Sequence, residues 1–439
     1  MTYARWKREG YDPKLLVSKL EDARKEAPGG GVISFAGSPS FEDAALAVES
    51  GVEFVADIPE SDQRSIVSAA MFTAPAPLTP SSLISEINKR ARDFLRESER
   101  AYVLVSSISA RYFPQLNRSE VSGHRIYFRR SLPRHLRVGR GQAEDRTGRY
   151  LLGSLPNSAH PSERYTAVWI HTWGRSNWEA ADRAIDTLDL LRGIWNLIMN
   201  RRLWSRTTGG ARRSVNQILL GPLHSLHHPD GSLASEVDWY ESDYINPVQS
   251  RQLSKRWTEV KRAEVTLRLG LKRSAYAVQL EDALRRYTRA LDSFDWDTSF
   301  LRLWGLLETL TGTAPHESHQ LTVKRAAFLY ADPERKLHIQ VLNHLRHYRN
   351  RSVHGGENTA TIEAYMYQLK RYVELLLLFH LTSSYRFESI ARAAEFLDLP
   401  PNPAELRRMI EERRKESEEA WAAAELASLG EQFRSDDGT

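Results

Sequence analysis

Hydrophobic residues recur at helical spacing through most of the second half of the chain. Between about residues 251 and 384 few glycines or prolines interrupt this pattern, and a repeat every three to four residues is typical of amphipathic helices. Helices are predicted over 276–294, 298–311, 320–331, 333–354 and 361–383. Their lengths and short connections predict an antiparallel, all-α helical bundle over 251–399.

A further helix with mixed charge is predicted after the bundle. Pro400, Pro401 and Pro403 interrupt the chain, and the segment 404–428 that follows contains EERRKESEEA. Such a charge pattern is typical of a solvated surface helix or a docking helix. We therefore expect 400–439 to form a C-terminal helix whose last residues fray.

The first half of the chain mixes strand patterns with helix patterns. Strands are predicted over 31–36, 52–58, 101–108, 124–129 and 165–171, and helices over 78–100 and 178–202. Segments 217–220 and 237–240 lie on either side of the turn signal PDG at 229–231, which predicts a hairpin. The fold class is therefore predicted as α+β, with an N-terminal mixed α/β region over 1–250 before the bundle. A division of this region into two subdomains near residue 77 stays open.

Composition narrows the class of protein. Of the 439 residues 41% are hydrophobic and 27% are charged, which is typical of a globular chain. Cysteine is absent, which excludes disulfides, cysteine-ligated zinc, iron–sulfur clusters and a cysteine nucleophile. The start, MTYARWKREG, lacks a secretory signal, and the densest apolar run, 373–381, is far shorter than the ~20 residues that span a bilayer. We expect a cytoplasmic protein that does not contact a membrane.

Arginine dominates the basic residues. The formal net charge is +5, and of the 61 basic residues 12 are Lys and 49 are Arg. The excess is typical either of a GC-rich genome or of a protein that binds phosphate in a bidentate manner. Arginines concentrate over 125–149 and 201–213; such runs are usually solvated faces, but they also suit RNA. The first stretch supplies candidate RNA-binding residues at Arg129, Arg130, Arg134 and Arg137.

The segment 343–356, NHLRHYRNRSVHGG, carries the strongest candidate chemistry. Arg349 lies on the flank of the apolar stripe of its predicted helix, so packing holds its guanidinium. Four residues separate it from His354, which comes directly before a Gly-Gly helix stop, and the free carbonyls of a last helical turn favour a protonated imidazole. The predicted stripe consists of Leu337, Val341, Leu345 and Tyr348.

These two side chains suit a phosphodiester. The imidazole of His354 could move protons, and the guanidinium of Arg349 could bind the phosphate and stabilise its developing charge. The alternative is structural: a histidine that favours a helix end, and an arginine whose stem covers apolar surface.

The residues R-N-R-S-V-H-G-G at 349–356 resemble the signature of the HEPN superfamily, which is an Arg, a polar residue, three to five further positions and a His. The segment FLRLWGLLETLTG (300–312) is similar to the helix of Apea-like HEPN proteins that carries an acidic residue, here Glu308. The long apolar segment AYMYQLKRYVELLLLFHL (364–381) also matches the helix order. The resemblance covers about residues 255–395.

The resemblance implies a helical bundle that dimerises and a metal-independent endoribonuclease that leaves a 2′,3′-cyclic phosphate. Arg349 would then bind the scissile phosphate, His354 would transfer protons, Asn350 would position the phosphate or the partner residue, and Glu308 would orient Arg349 or His354. Glu308 could equally pair with an arginine of the next helix and play no part in catalysis. Arg346 and Arg351, next to the motif, are further candidates for RNA binding.

Transesterification needs a base and an acid, but one motif offers one histidine. A symmetric dimer that brings two motifs face to face supplies both, so we expect a homodimer through the Arg349/His354 face. The alternative is a monomer in which Arg349 and the helix field suffice. The N-terminal half resembles the sensor-like region of prokaryotic defence proteins, which implies a phage trigger or an antitoxin as partner.

Two other classes of function stay open beside an antiphage or toxin-like endoribonuclease. One is a non-catalytic HEPN-type protein that binds nucleic acid or nucleotide or scaffolds a partner, and the other is a sensor whose helical domain only dimerises.

The remaining motifs are weak. A metal site needs three convergent ligands, and we expect the histidine groups to lie instead in loops or at helix positions that face solvent or the dimer partner, with no metal or cofactor. The glycines at 29–31 lack the Lys-Ser/Thr of a phosphate-binding loop. The histidine groups are His224, His227 and His228 with Asp230, His344 with His347, and His316 with His319.

Overall fold

The computed structural model describes residues 2–26, 33–35, 39–151, 165–201, 203, 214–241, 251–331, 334–355, 361–400 and 402–436. The chain divides into two compact units: Met1–Leu191 with Ile218–Ser254, and Arg192–Gln217 with Lys255–Thr439. Helices predominate, and all strands among the described residues lie in the first unit, so the predicted α+β class is confirmed.

The first unit begins with a small group of helices and two short strand pairs. Strand β1 pairs antiparallel with β4, and β2 pairs with β3. One hydrophobic core extends from Ala4 to Ala91, so residue 77 does not separate two cores. The elements are β1 (Ala4–Trp6), α1 (Pro13–Ala23), β2 (Arg24–Glu26), β3 (Ile33–Phe35), α2 (Pro39–Gly51), β4 (Val52–Phe54), α3 (Glu60–Thr73) and α4 (Pro80–Arg96).

Local sequence explains where α4 begins. The Thr79 hydroxyl accepts a hydrogen bond from the Ser82 amide while the Ser82 hydroxyl accepts one from the Thr79 amide, and Pro80 occupies the first helical position. This reciprocal cap satisfies two amides that a helix start leaves without partners. Leu83, Ile87 and Ala91 then recur on the buried face.

The rest of the first unit is a six-stranded sheet. Its order is β10-β9-β5-β8-β7-β6, and every neighbouring pair is antiparallel. At its centre Leu104 of β5 lies opposite Ile170 and Leu226. The elements are β5 (Arg100–Ile108), β6 (Arg118–Val121), β7 (His124–Arg129), α5 (Arg134–Leu151), β8 (Thr166–Gly174), α6 (Asn177–Asn200), β9 (Leu223–His227) and β10 (Trp239–Tyr240).

The β6–β7 hairpin has a two-residue turn. Ser122 and Gly123 both have positive φ, 48° and 81°, as a type I′ turn requires. This turn chemistry fits the right-handed twist of the flanking strands, and it fixes the register in which Val121 lies opposite His124.

Two predictions for the first unit are wrong. The hairpin partner of β10 is β9, Leu223–His227, and not the segment 217–220, of which Leu220 makes an isolated bridge with Ile108. His224 and His227 consequently lie in a fully buried strand rather than a loop, and His228 and Asp230 follow it at exposed positions. Of the basic stretch 125–149, the strand predicted over 124–129 is β7, and the remainder lies largely in α5.

The second unit is helical, and the last part of α6, from Arg192 to Asn200, belongs to it. All five helices predicted for the bundle are present, and α9 packs against both α8 and α12. The sequence pattern did not predict helices α7 and α13. The bounds are α7 (Trp257–Arg273), α8 (Ala277–Asp292), α9 (Trp296–Leu310), α10 (His319–Ala327), α11 (Glu334–Gly355), α12 (Ile362–Thr382), α13 (Ile390–Leu397) and α14 (Pro403–Asp436), after a 3-10 helix at Ser254–Arg256.

A buried polar network ties helices of this unit together. Lys370 of α12 is fully buried, and its ammonium donates to both oxygens of Glu374 and to the Asn200 carbonyl of α6. The Tyr287 hydroxyl of α8 also donates to Glu374. Because burial raises the pKa of Glu374 and lowers the pKa of Lys370, each charge depends on its partner.

The C-terminal helix forms as predicted and runs on to Asp436. Most of its described side chains up to Trp421 are exposed, which agrees with a solvated helix. Among the described residues, no helix combines the length and the apolar character that crossing a membrane requires.

Candidate active site on helix α11

Tyr348 anchors the motif helix α11 in the second unit. Its hydroxyl donates to Asp297 in the first turn of α9. Its ring meets Phe300 of α9 and Tyr365 of α12 edge-on, with centroids 5.1 and 5.2 Å apart. The residue directly before Arg349 is therefore held by two neighbouring helices.

The buried stripe of α11 begins later than predicted. Leu342, Leu345 and Tyr348 are buried, but Leu337 is 58% exposed. Helical spacing alone could not show that the first turns of α11 extend beyond the core. The shift moves Arg349 closer to the buried face, because residues seven apart lie nearly on one line of a helix and Arg349 follows Leu342 by seven.

Arg349 is half-buried, and its Nη1 donates to Asn350 Oδ1 at 3.3 Å. Within the part of the chain that the structure describes, no carboxylate pairs with it. Since Asn350 accepts through its oxygen, its amide NH₂ remains a donor. The pair can therefore offer several N–H groups to an anion.

Arg346 precedes Arg349 by one helical turn. It is half-buried, and its Nε is buried without a hydrogen-bond partner among the described residues. Arg351 is exposed. Arg346 and Arg349 are three residues apart and therefore lie next to each other on the surface of α11. Together they place two positive charges at this point of the helix.

His354 lies in the last turn of α11, which runs to Gly355; its side chain lies outside the described residues, as does Gly356. In a continuous α-helix, positions five residues apart differ by ~140° around the axis. The backbone positions of Arg349 and His354 are therefore on different sides of one helix.

Glu308 is engaged away from the motif. It accepts a hydrogen bond from Trp304 Nε1 at 2.7 Å, and its carboxylate lies 2.7 Å from His319 Nδ1 of α10. Among the described residues its partner is therefore not Arg349, which it was expected to orient, nor an arginine of the next helix, which was the alternative. The expectation that it orients His354 concerns a side chain outside the described residues. Glu308 also lies eight residues, about 12 Å along α9, from the Phe300 contact with the motif helix.

Asp297 is the acidic residue that sequence reasoning missed. It holds Tyr348 with one carboxylate oxygen, while the other is buried without a partner among the described residues. The two residues are 51 positions apart, and the local pattern around Asp297 shows only a helix start after the capping residue Asp295.

The histidine groups have other partners. His224 bonds to Ser106 and Glu241, and His227 bonds to Ser225 and the Gly231 carbonyl. Burial lowers the pKa of His227, which favours its neutral form. Across the described residues, no three His, Cys, Asp or Glu side chains converge on a metal position.

The basic stretch of the first unit divides into exposed and internal arginines. The four RNA-binding candidates, Arg129, Arg130, Arg134 and Arg137, are exposed near the end of β7 and the start of α5. Arg140, in contrast, is buried and donates to Glu144, Ser225 and the Leu223 carbonyl. Most of the second stretch, 201–213, and the glycines at 29–31 lie outside the described residues.

The chain was compared with protein-family models, with curated proteins and with solved structures, and it matches none of them. The α+β class therefore stands on the structure alone, and the function has to be argued from the residues of α11 and their surroundings.

Proposed function

We propose that the protein is a metal-independent endoribonuclease of the HEPN type, which cleaves RNA by 2′-OH transesterification with Arg349, Asn350 and His354 of α11. One observation carries the proposal: Arg349 is half-buried beside the anchored Tyr348, and no described carboxylate neutralises it. A guanidinium held in this way is preorganised for an anion, which is the arrangement that stabilises charge developing on a phosphate.

In this mechanism Arg349 binds the non-bridging oxygens of the scissile phosphate. Asn350 accepts from the guanidinium and donates its amide hydrogens to the phosphate. His354 takes the proton from the 2′-OH or gives one to the leaving 5′-oxygen. The O2′–P bond forms as the P–O5′ bond breaks, which leaves a 2′,3′-cyclic phosphate and a 5′-OH and needs no metal.

A homodimer through α11 completes the proposal. Positions 349 and 354 differ by ~140° around α11. One copy of α11 therefore does not present Arg349 and His354 on the same face. Two motifs related by a two-fold axis would place each histidine opposite the other motif and supply both base and acid.

The biological setting that we propose is cytoplasmic antiphage defence or a toxin-like system, in which the N-terminal unit senses a trigger. The test is expression of the wild type and of His354→Ala in cells with and without phage, followed by growth and total RNA. Slowed growth and fragmented RNA with the wild type alone are expected. His316→Ala, at an exposed position outside α11, is the control and should behave as the wild type.

A non-catalytic protein that binds nucleic acid is the second candidate. The exposed arginines 129, 130, 134 and 137 favour it, since such a cluster binds phosphates without catalysis. Intact RNA in both strains, together with RNA binding by both proteins, would select this candidate.

A further inference from the structure

One face of the six-stranded sheet in the first unit presents aromatic and basic side chains on β7 and β8. Side chains alternate between the two faces along a strand. In β7 the residues at 124, 126 and 128 are buried, whereas Arg125 is exposed and Tyr127 is half-buried on the opposite face. In β8 the half-buried Trp169 and the exposed His171 alternate with buried residues in the same way. Helix α5 packs against β9 and β5, toward the other edge of this sheet.

The aromatic side chains form a stack across the two strands. Tyr127 lies opposite Trp169, and their rings are nearly parallel, at 10°, with centroids 5.3 Å apart. The His171 ring meets the Tyr127 ring edge-on, with centroids 5.4 Å apart. Trp169 is also held by the apolar cluster around Leu136 of α5. Because Trp169 covers one face of the Tyr127 ring, the opposite ring face, toward β6, remains for a further flat ring.

Arginines border these rings. Arg118 of β6 lies opposite Tyr127, and Arg125 lies opposite His171. Both arginines are exposed, and neither has a carboxylate partner among the described residues. The one acid that the described residues place on this face is Glu120, opposite Arg125 on the edge strand. Two guanidinium groups are therefore available for the oxygens of phosphates.

The spacing of these groups matches a single-stranded nucleic acid. Neighbouring strands are ~4.8 Å apart, and residues two apart in a strand are separated by about 7 Å. The face is therefore about 10 Å wide from Arg118 to Trp169, which accommodates about two stacked bases. In single strands bases stack on aromatic side chains while cations hold the backbone. A duplex keeps its bases stacked inside, so it reaches the arginines but not the rings, and a chain of acidic residues offers the rings no flat partner.

We propose that this face of the sheet binds a single-stranded segment of RNA, with bases stacked on Tyr127 and His171 and phosphates on Arg118 and Arg125. The proposal rests on RNA as the partner, as both proposed functions have it. It adds a contact surface in the first unit and the class of RNA that this surface accepts, and it does not depend on cleavage by α11.

The test is fluorescence anisotropy of the full chain with a short, unstructured 2′-O-methyl RNA, whose blocked 2′ positions prevent transesterification. We expect saturable binding that is tighter than binding of the same strand in a duplex or of poly-glutamate. Tyr127→Leu should weaken binding about tenfold, because one stacked base is lost, whereas Tyr127→Phe should bind as the wild type does. Arg125→Gln should reduce the slope of log affinity against log salt by about 0.7.

Two matched variants control for general effects of these changes. Tyr240→Leu replaces an exposed tyrosine at the opposite edge of the same sheet, and Arg408→Gln replaces an exposed arginine of α14. Both should bind RNA as the wild type does. Melting temperatures check that every variant folds.

Any one of four results would overturn the proposal: no saturable binding of the single strand, equal affinities of Tyr127→Leu and the wild type, an unchanged salt slope in Arg125→Gln, or duplex RNA or poly-glutamate bound as tightly as the single strand. RNA cleavage by the wild type together with unchanged binding by Tyr127→Leu would refute this surface alone. Weakened binding by Tyr127→Leu together with equal cleavage by the wild type and His354→Ala would refute the cleavage mechanism alone.

Discussion

The hydroxyl of Tyr348 donates a hydrogen bond to Asp297, and this contact fixes the motif helix to the start of α9. The neighbouring Arg349 takes its position from this anchor. The arrangement links a buried contact between helices to the placement of a guanidinium at their edge.

Replacing Tyr348 with Phe keeps the ring contacts and removes the hydroxyl. Asp297 then loses its only hydrogen-bond partner among the described residues, and we expect the free energy of unfolding to fall by about 1–3 kcal/mol. Denaturant titration measures this change. Tyr385→Phe, at an exposed position of the same unit, is the control; equal stabilities of the two variants would show that the Asp297 contact contributes nothing.

Replacing Arg349 with Lys keeps the charge and removes the planar fork. Because an ammonium cannot bind phosphate in a bidentate manner, we expect RNA cleavage to fall by roughly a hundredfold, as for loss of one transition-state donor. Initial rates on a fluorescent RNA measure this fall, with Arg408→Lys as the matched surface control. Full activity of Arg349→Lys would show that the planar guanidinium of Arg349 does not take part in catalysis.

His380 predicts how stability depends on pH. It is buried between the Tyr276 hydroxyl and the Leu310 carbonyl, and burial lowers its pKa from 6.5 to about 4. The unfolded chain therefore binds a proton that the folded chain excludes between these values, so the free energy of unfolding falls as the pH drops from 6.5 to 4, by up to about 3 kcal/mol.

The variant His380→Gln isolates this contribution, because glutamine can donate and accept as the imidazole does but does not titrate. The stability difference between the wild type and this variant should shrink as the pH falls through the window. A difference that stays constant from pH 7 to pH 4 would contradict the assignment.

The exposed arginines of the first unit predict a salt effect. If Arg129, Arg130 and Arg134 each contact a phosphate, changing all three to Gln should reduce the slope of log affinity against log salt by about 2 for single-stranded RNA. Filter binding at several salt concentrations measures the slope. The control changes Arg407, Arg408 and Arg414, which are exposed on α14. An unchanged slope in the test variant would contradict RNA binding by these arginines and would indicate that the stretch is only a solvated surface.

The homodimer predicts how mixed subunits behave. When wild type and His354→Ala are unfolded together and refolded at varying ratios, a site that needs both histidines is active only in wild-type pairs. Activity should then follow the square of the wild-type fraction. A linear dependence would show that each chain acts alone.

The helices α8, α9 and α12 could be predicted from the sequence because apolar residues recur in them every three to four positions, and this period is the main local signal of a helix. Strand β9 was not readable. Its polar residues His224 and Ser225 are buried only because Ser106 and Arg140, distant in sequence, supply hydrogen bonds. The local sequence pattern of β9 does not indicate such distant partners.

Contacts between residues distant in sequence also limited the prediction of the candidate site. The motif around Arg349 could be found by its spacing and resemblance, but the Asp297 contact depends on how α9 and α11 pack. The contact between Glu308 and His319 could not be predicted either, because His319 follows a loop whose path the sequence pattern does not predict.

Cleavage of a defined RNA by the purified chain in EDTA, with analysis of the product ends, tests the central claim most directly. We predict fragments that carry 2′,3′-cyclic phosphate and 5′-OH ends for the wild type and for His316→Ala, and intact RNA for His354→Ala. Strict dependence on Mg²⁺, 5′-phosphate ends, or equal cleavage by His354→Ala would contradict it.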